Sequence, residues 1–155
     1  KTNVRPTQAV VRKSMFDILG ILDGLDVLDL YSGVGTLGIE SISRGARSLV
    51  SVEKDKITYN VLKDNLDIIC TSDNILTYNM DVTQFLKFND KKFDLIIADP
   101  PYKNDIYNYL NEQSKIILNP DGILCIEMKK KEIENKDVRV RTFGRTQLTF
   151  WRNNL

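Results

Sequence analysis

The sequence predicts an α/β domain with a seven-stranded, mostly parallel sheet that ends in an antiparallel hairpin and carries helices on both faces. Three observations support this prediction. Apolar strand patterns alternate with helical patterns along most of the chain, as parallel βαβ crossovers require. The first strand pattern runs into a glycine-rich turn, which is typical of nucleotide-binding βαβ units. The last two strand patterns flank a short turn that contains glycine, which indicates a hairpin.

The predicted elements follow one another in a regular order. We expect helices near residues 8–22, 36–44, 56–69, 82–88 and 106–118. We expect strands near residues 26–31, 49–53, 75–79, 93–98 and 123–128, the last after the turn signal Asn119-Pro120-Asp121-Gly122. Residues 138–142 and 147–151 form the hairpin around Phe143-Gly144-Arg145-Thr146. Because no repeat or linker divides the chain, residues 1–155 are expected to form a single domain.

Composition restricts the class of protein. The 42% of hydrophobic residues can form a core, and no apolar run of 18 residues predicts a membrane span. Cys70 and Cys125 lack the spacing of metal ligands, so we expect reduced core cysteines, a cytoplasmic protein and no metal. The chain contains no His, which excludes an imidazole general base.

The net charge of +1 hides an uneven distribution of charged residues. Residues 1–15 carry a net charge of +4 and residues 129–155 carry +5, so the middle of the chain is acidic. A basic rim beside an acidic pocket would suit a ligand that carries phosphates. The run Lys129-Lys130-Lys131 is equally compatible with a solvated surface.

The end of the first strand pattern indicates a cofactor site. Gly33, Gly35 and Gly38 form a Gly-x-Gly-x-x-Gly motif, which permits a tight turn and close approach of a ligand. Glu53 ends the next strand pattern 20 residues after Gly33, where a ribose-binding carboxylate is expected. A solvated strand end is the alternative explanation of Glu53.

Acidic residues end four successive strand patterns: Asp29, Glu53, Asp81 and Asp99. A dinucleotide needs its pyrophosphate bound at a helix N-terminus, whereas S-adenosylmethionine carries a sulfonium and no phosphate. We expect Asp29 to hold the methionine ammonium, directly or through water, and Asp81 to accept from the adenine amino group. Each acid could instead cap a helix. Four in a row favour S-adenosylmethionine.

The tetrapeptide Asp99-Pro100-Pro101-Tyr102 follows the fourth strand pattern. Its prolines remove two N–H donors, so this strand end presents acceptors, a carboxylate and a ring. The Asp99 carboxylate and the Pro100 carbonyl can accept both N–H bonds of a nucleobase amine, while Tyr102 stacks on the base. These contacts would make the amine more reactive without a general base. A proline strand terminator followed by a surface tyrosine is the alternative.

Together these residues resemble the bacterial 16S ribosomal RNA guanine-N2 methyltransferases of the RsmD type, which have the Rossmann-like fold of class I methyltransferases. The resemblance rests on Arg5-Pro6-Thr7 before Val11-Arg12-Lys13-Ser14-Met15-Phe16, the glycine loop, Glu53, Asp81, Asp-Pro-Pro-Tyr and Gly144-Arg145-Thr146. It implies methyl transfer from S-adenosylmethionine to the exocyclic N2 of a guanine. The implied partner is 16S ribosomal RNA or the assembling small ribosomal subunit, and we expect a monomer.

The resemblance also implies roles for individual residues. The implied cofactor contacts are Asp29, Tyr31, Gly33, Gly35, Glu53, Asp81 and Val82. The implied catalytic set is Asp99, Pro100, Pro101 and Tyr102, and the implied RNA contacts are Arg5, Thr7, Arg12 and Arg145. The start of the first helix explains Pro6 and Thr7 equally well. Family members usually carry a short basic segment before Arg-Pro-Thr, so we expect a short N-terminal segment to be missing before Lys1.

Three other functions are compatible with parts of the pattern. Asp-Pro-Pro-Tyr also serves methylation of adenine N6 and cytosine N4, but the chain lacks the extra domain with which DNA enzymes read sequence. A non-catalytic nucleotide-binding or RNA-binding module would not need the acceptors at Asp99. A NAD-dependent dehydrogenase would need a proton-transfer residue, for which the sequence offers no His.

Overall fold

The computed structural model of the chain describes residues 8–69, 74–101 and 105–154. Its helices are α1 (Gln8–Leu19), α2 (Thr36–Ser43), α3 (Lys56–Ile69), α4 (Val82–Phe88) and α5 (Tyr107–Ile116). Its strands are β1 (Asp26–Leu30), β2 (Ser48–Glu53), β3 (Ile75–Asn79), β4 (Phe93–Ala98), β5 (Leu118–Lys129), β6 (Arg139–Phe143) and β7 (Thr146–Arg152).

The described strands form one seven-stranded sheet of order β3-β2-β1-β4-β5-β7-β6. Strands β1 to β5 pair in parallel, and β7 lies antiparallel to both β5 and β6. This arrangement confirms the predicted mostly parallel sheet with a C-terminal antiparallel hairpin. Because β2 and β4 lie on opposite sides of β1, the order reverses between β1 and β4. Open α/β sheets bind their ligands at such a reversal, outside the carboxyl ends of the strands.

Helices cover both faces of the sheet, as predicted. Successive strand residues point to opposite faces, so a strand buried on both sides is apolar throughout. Leu28 and Ile96 belong to the core shared with α4 and α5, whereas Val27 and Ile97 belong to the core shared with α1, α2 and α3. None of the described helices has the length and apolar character needed to cross a membrane.

Several elements end earlier than the sequence predicts. Helix α1 stops at Leu19 instead of residue 22, and α5 spans Tyr107–Ile116 instead of 106–118. Strand β1 ends at Leu30 because Tyr31 has a φ of 60°, which is incompatible with an extended strand. The chain therefore turns at Tyr31, directly in front of the glycine loop.

The turn predicted at residues 119–122 is wrong, because these residues lie inside β5. Leu118 pairs with Phe93 and Ile123 pairs with Leu95, so β5 carries extra residues opposite β4. The Asp121 N–H donates to the Asn153 carbonyl at 2.6 Å, and the Gly122 carbonyl accepts from the Asn153 N–H at 2.8 Å. The chain after β7 therefore satisfies backbone groups that the sequence pattern assigned to a free turn.

Candidate active site

The carboxyl ends of β1 and β4 bring the glycine loop and the segment after β4 together. The Asp99 N–H donates to the Leu30 carbonyl at 3.5 Å, so Asp99 lies beside β1 where the strand order reverses. A cavity of about 810 Å³, which we call the main cavity, opens at this edge. It is lined by Tyr31, Gly33, Val52, Glu53, Lys54, Asp55, Lys56, Asp81, Val82, Thr83, Asp99, Pro101 and Ile106. Seven of the predicted site residues therefore share one cavity.

The loop after β1 uses its own backbone amides. Gly33, at a φ of 58°, donates its N–H to Oε1 of Glu53 at 2.8 Å. Gly35, at a φ of 98°, donates its N–H to the Ser32 carbonyl at 3.0 Å. These positive φ values favour glycine, which has no Cβ. Because both amides are satisfied inside the protein, the loop does not offer them to a phosphate.

Glu53 joins the loop to the end of β2. Its Oε2 accepts the N–H of Asp55 at 2.8 Å, while its Oε1 holds Gly33. The side-chain amide of Asn79 donates to the carbonyls of Glu53 and Lys54 at 3.0 and 2.9 Å. A carboxylate has about four acceptor positions, so Glu53 keeps acceptors for a ligand beyond these two bonds. The half-buried side chain therefore combines loop support with a place in the cavity wall.

Asp81 is both the N-cap of α4 and part of the cavity wall. Its Oδ1 accepts from the N–H and the hydroxyl of Thr83 at 2.9 and 2.8 Å. Its Oδ2 lies 3.4 Å from Nζ of Lys54. The Thr83 bonds, followed by the Lys54 ammonium, hold the pKa of Asp81 below its usual value. Asp81 therefore caps α4, as the sequence allowed, and also lies in the cavity wall where a cofactor contact was expected.

Asp29 lies beneath the loop and does not line the main cavity. Its side chain is fully buried, and neither carboxylate oxygen has a hydrogen-bond partner among the described residues. Burial raises the pKa of Asp29 to about 7, and the nearby charges of Asp99 and Glu53 add to this effect. The expected contact of Asp29 with the methionine ammonium, directly or through water, stays a prediction.

Two glycines of the motif serve packing. A Cβ on Gly35 would lie 2.8 Å from Cδ1 of Leu62 in α3. A Cβ on Gly38 would lie 2.9 Å from Cδ2 of Leu49 and 3.2 Å from Oδ2 of Asp29. Gly38 thus lets α2 approach β1 and β2 closely. Gly35 was expected to contact the cofactor but lies against α3 and outside the main cavity wall.

A second, smaller cavity adjoins the main cavity at Pro101 and Ile106, which line both. Its volume is about 190 Å³, and we call it the apolar pocket. Its lining consists of Pro100, Pro101, Asp105, Ile106, Tyr107, Ile126, Met128 and Lys129 to Lys131. Burial raises the pKa of the Tyr107 hydroxyl, so this ring stays neutral. The segment after β4 therefore separates a cavity with charged walls from a largely apolar one.

Of the four predicted RNA contacts, the two that the structure describes, Arg12 and Arg145, lie in different places. Arg12, on α1, lines a third cavity of about 210 Å³ together with Gly33, Asp99 and Glu127. Arg145 lies at the exposed turn between β6 and β7 and lines a separate groove. Arg12 therefore lies beside the segment after β4, and its contact with RNA stays a prediction. Arg5, Thr7 and Tyr102 lie outside the residues that the structure describes.

Glu127, which is not among the predicted site residues, is buried at 7% exposure near the end of β5. Ile126 pairs with Ala98, so Glu127 and Asp99 follow neighbouring positions on adjacent parallel strands. Both line the third cavity. The sequence did offer a signal for Glu127, because an acidic residue inside an apolar strand pattern is unusual. Its position beside Asp99, however, follows only from the pairing of β4 with β5. Across residues 8–69, 74–101 and 105–154, no group of three or more His, Cys, Asp or Glu side chains could hold a metal ion.

The strand order and the site at the reversal point define the fold of class I methyltransferases. A conserved hypothetical protein from Streptococcus pyogenes superimposes with a TM-score of 0.84 at 26% identity, covering 92% of this chain and 95% of that one. The 16S rRNA N2 G1207 methyltransferase of Thermus thermophilus, at 19% identity, shares the fold with a TM-score of 0.77. That match covers 97% of this chain and 44% of the Thermus protein.

The chain belongs to the family described as conserved hypothetical protein 95, whose model matches residues 1–152. It is 29% identical to ribosomal RNA small subunit methyltransferase D of Haemophilus influenzae, over 82% of this chain and 69% of that protein. It is 31% identical to the protein of the same name from Buchnera aphidicola, over 84% and 70% of the two chains. The resemblance inferred from the motifs is thereby confirmed.

Proposed function

We propose that this protein transfers the methyl group of S-adenosylmethionine to the exocyclic N2 of a guanine in 16S ribosomal RNA. One observation carries the proposal: Asp99 and Pro101 line the main cavity, and Pro100 and Pro101 line the apolar pocket beside it. A methyl donor and a flat acceptor can therefore meet at this segment. The names of the relatives support ribosomal RNA as the substrate, and that substrate implies a cytoplasmic enzyme.

The main cavity fits S-adenosylmethionine by its size and chemistry. A volume of about 810 Å³ lies in the usual range for small-molecule sites. Glu53 offers carboxylate acceptors to ribose hydroxyls, and Asp81 with Val82 lies where the adenine is expected. The carboxylates suit a cationic ligand without phosphates, and the Gly33 and Gly35 amides are bonded inside the protein instead of facing a pyrophosphate.

The residues after β4 provide the chemistry of the acceptor. S-adenosylmethionine, when bound, supplies an electrophilic methyl group on its sulfonium. The Asp99 carboxylate and the Pro100 carbonyl accept the two N–H bonds of the guanine amine, which orients the nitrogen lone pair. Holding both N–H bonds reduces the delocalisation of the lone pair into the ring. Formation of the N–C bond would break the S–C bond and leave S-adenosylhomocysteine, and the proton of the positively charged nitrogen would pass to the Asp99 carboxylate or to water. Asp99 therefore contributes by positioning the amine, without acting as a strong base.

The apolar pocket is the proposed place for the guanine ring. Pro100, Ile106, Tyr107 and Met128 supply apolar surface to a flat base that has left its stack. RNA loops present unpaired bases, so moving such a base costs less than opening a duplex. Tyr102, two residues beyond Pro100, remains the predicted stacking partner of the base.

The test is methyl transfer with labelled S-adenosylmethionine to small ribosomal subunits, or to their RNA, from cells that lack this enzyme. We expect label in 16S RNA, and digestion to nucleosides should give N2-methylguanosine. Label in N6-methyladenosine or in DNA would contradict the proposed substrate. RNA binding without any transfer would support the non-catalytic binding module instead. The Asp99→Asn variant, tested in parallel, controls for contaminating activity.

A further inference from the structure

We propose that a groove beside the apolar pocket binds the phosphates of the RNA strand that flanks the target guanine. We call it the lysine groove. Lys129, Lys130 and Lys131 line one side, Thr142, Gly144 and Arg145 line the other, and Gln147 lies between them. This inference rests on the proposed function, because it assigns a surface to the RNA substrate.

The structure holds the lysine segment in place. The side-chain amide of Gln147 donates to the Lys131 carbonyl at 2.9 Å, and Oε1 of Gln147 accepts the Lys131 N–H at 3.3 Å. The Lys130 N–H donates to the Arg145 carbonyl at 2.8 Å. Gln147 is only 1% exposed, so a buried amide fixes the backbone of the run. The three lysines are therefore a positioned feature of the surface, unlike a free solvated run.

The lysine groove continues from the apolar pocket. Lys129, Lys130 and Lys131 line both, so no other element intervenes between the base site and the groove. Nζ of Lys131 lies 3.3 Å from Oδ1 of Asp105 and 5.4 Å from the centre of the Tyr107 ring, at the boundary between the two. A nucleotide with its base in the pocket would place its neighbouring phosphates along Lys129 and Lys130, which are exposed.

The charge of this region fits a polyanion. Residues 129–155 contain eight basic and three acidic residues, and Glu132 is the acid that lines the groove. Lys129, Lys130, Lys131 and Arg145 are the basic residues that line the groove, whereas Arg139 and Arg141 alternate with Val140 and Thr142 on β6 and point to the other face of the sheet. An acidic protein surface would also be attracted to this charge. The direct continuity with the base site favours RNA, which carries one phosphate per nucleotide.

The experiment compares the full-length triple variant Lys129→Gln, Lys130→Gln, Arg145→Gln with a matched control. The control, Lys63→Gln, Lys87→Gln, Lys92→Gln, removes three exposed charges that line none of the cavities described above. Lys131 stays unchanged because it contacts Asp105. We expect the groove variant to raise KM for the RNA substrate at least about tenfold, while its affinity for S-adenosylhomocysteine stays within about twofold of wild type.

The contacts of Lys129, Lys130 and Arg145 with RNA should also affect the salt dependence of RNA binding and the footprint of the protein on the RNA. The slope of a plot of log K against log salt concentration, where K is the association constant for RNA, should become less negative by roughly 2–3 when three phosphate contacts are lost. Hydroxyl-radical footprinting on the small subunit should show backbone protection beside the target guanine, which is lost in the groove variant. An unchanged footprint or salt slope, or an equal loss in the control, would overturn the groove. Failure of the wild-type protein to methylate any RNA would instead refute the proposed function, and the groove with it.

Discussion

Asp99 lines the main cavity next to Pro100 of the apolar pocket, and the role we propose for it there can be separated from cofactor binding. We predict that Asp99→Ala nearly abolishes methyl transfer while the Kd for S-adenosylhomocysteine stays within about tenfold of wild type, because its task is to position the amine. Single-turnover methylation and calorimetric titration measure the two quantities. An Asp99→Ala enzyme with near-normal turnover at saturation would contradict this role.

Glu53 should show the opposite behaviour. Its two oxygens hold the N–H groups of Gly33 and Asp55, so Glu53→Ala removes support from the loop as well as the expected ribose contact. We predict cofactor binding weaker by about tenfold or more, because each lost charged hydrogen bond is worth about 1.5–3 kcal/mol. The same titration, with turnover measured at saturating cofactor, checks it. Identical kinetic profiles for the Glu53 and Asp99 variants would refute the division of roles.

Asp29 makes the stability of the protein depend on pH. Its pKa is about 7 when folded, against about 3.9 in an unfolded chain, so the native state keeps a proton that the unfolded state loses. The wild type should therefore lose stability as pH rises from about 4 to about 7, by up to about 4 kcal/mol. Asp29→Asn removes this dependence, because the amide stays neutral throughout.

Denaturant unfolding at pH 5 and pH 8 measures this effect. At pH 5 the unfolded wild type has already lost the Asp29 proton that the folded protein keeps, and the folded carboxyl releases it only near pH 7. Between pH 5 and pH 8 the wild type should therefore lose about 3 kcal/mol of stability relative to the variant, whatever the constant cost of burying the amide. A difference that is the same at both pH values would show that Asp29 does not titrate in this range.

At the scale of the element, local patterns predicted most of the fold. The apolar periodicity of β3, β4, α3 and α4 gave their bounds, because each of these elements buries one face or both in an adjacent core. The four strand-end acids were found for the same reason: strand ends are visible in the sequence. The sequence patterns could not predict which residues of neighbouring strands pair with one another. Glu127 becomes a neighbour of Asp99 only through the register of β4 with β5.

Residues 119–122 of β5 also show that local sequence patterns do not reveal contacts between distant parts of the chain. Asn119, Pro120, Asp121 and Gly122 have the composition of a free turn, and Asp121 adopts a φ of 64° as such residues often do. Yet Asn153, more than 30 residues later, pairs with the backbone of Asp121 and Gly122. Its side-chain amide also donates to the carbonyls of Leu118 and Asn119, each at 3.2 Å. A distant contact thus keeps a turn-like sequence inside a strand.

Gly122 tests this packing. A Cβ there would lie 2.8 Å from the Asn119 carbonyl oxygen and 3.2 Å from that of Asp94, both of them backbone atoms that cannot rotate away. We predict that Gly122→Ala destabilises the fold by about 1–3 kcal/mol, as overpacking in a core does. Urea denaturation measures the change. Pro120→Ala, at an exposed position of the same segment, should cost less than about 1 kcal/mol; equal losses would argue against a steric cause.

At the scale of the whole molecule, the sheet order decides where function can arise. Placing β4 and β5 on one side of β1, and β2 and β3 on the other, sets the main cavity and the apolar pocket side by side. Glu53 and Asp81 then face the main cavity, whereas the lysine segment at the end of β5 faces away along the hairpin. The acidic residues from the middle of the sequence thus line the main cavity, and the basic residues near its end line the lysine groove. The segment after β4 lies between these two surfaces.

Because the main cavity is built from the ends of several elements, a cofactor that bridges them should stabilise the entire domain. S-adenosylhomocysteine at 100 times its Kd should add about 2.7 kcal/mol to the free energy of unfolding. For a chain of this length, that corresponds to a rise in Tm of about 5–10 °C.

NAD at the same concentration should leave Tm unchanged, since the Gly33 and Gly35 amides are engaged internally and the cavity carboxylates repel a pyrophosphate. Thermal unfolding monitored by circular dichroism compares the two ligands, and the Glu53→Ala variant should show a smaller shift with S-adenosylhomocysteine. A comparable shift with NAD would contradict the assigned cofactor, because both ligands share an adenosine and only the phosphates distinguish how the loop must receive them.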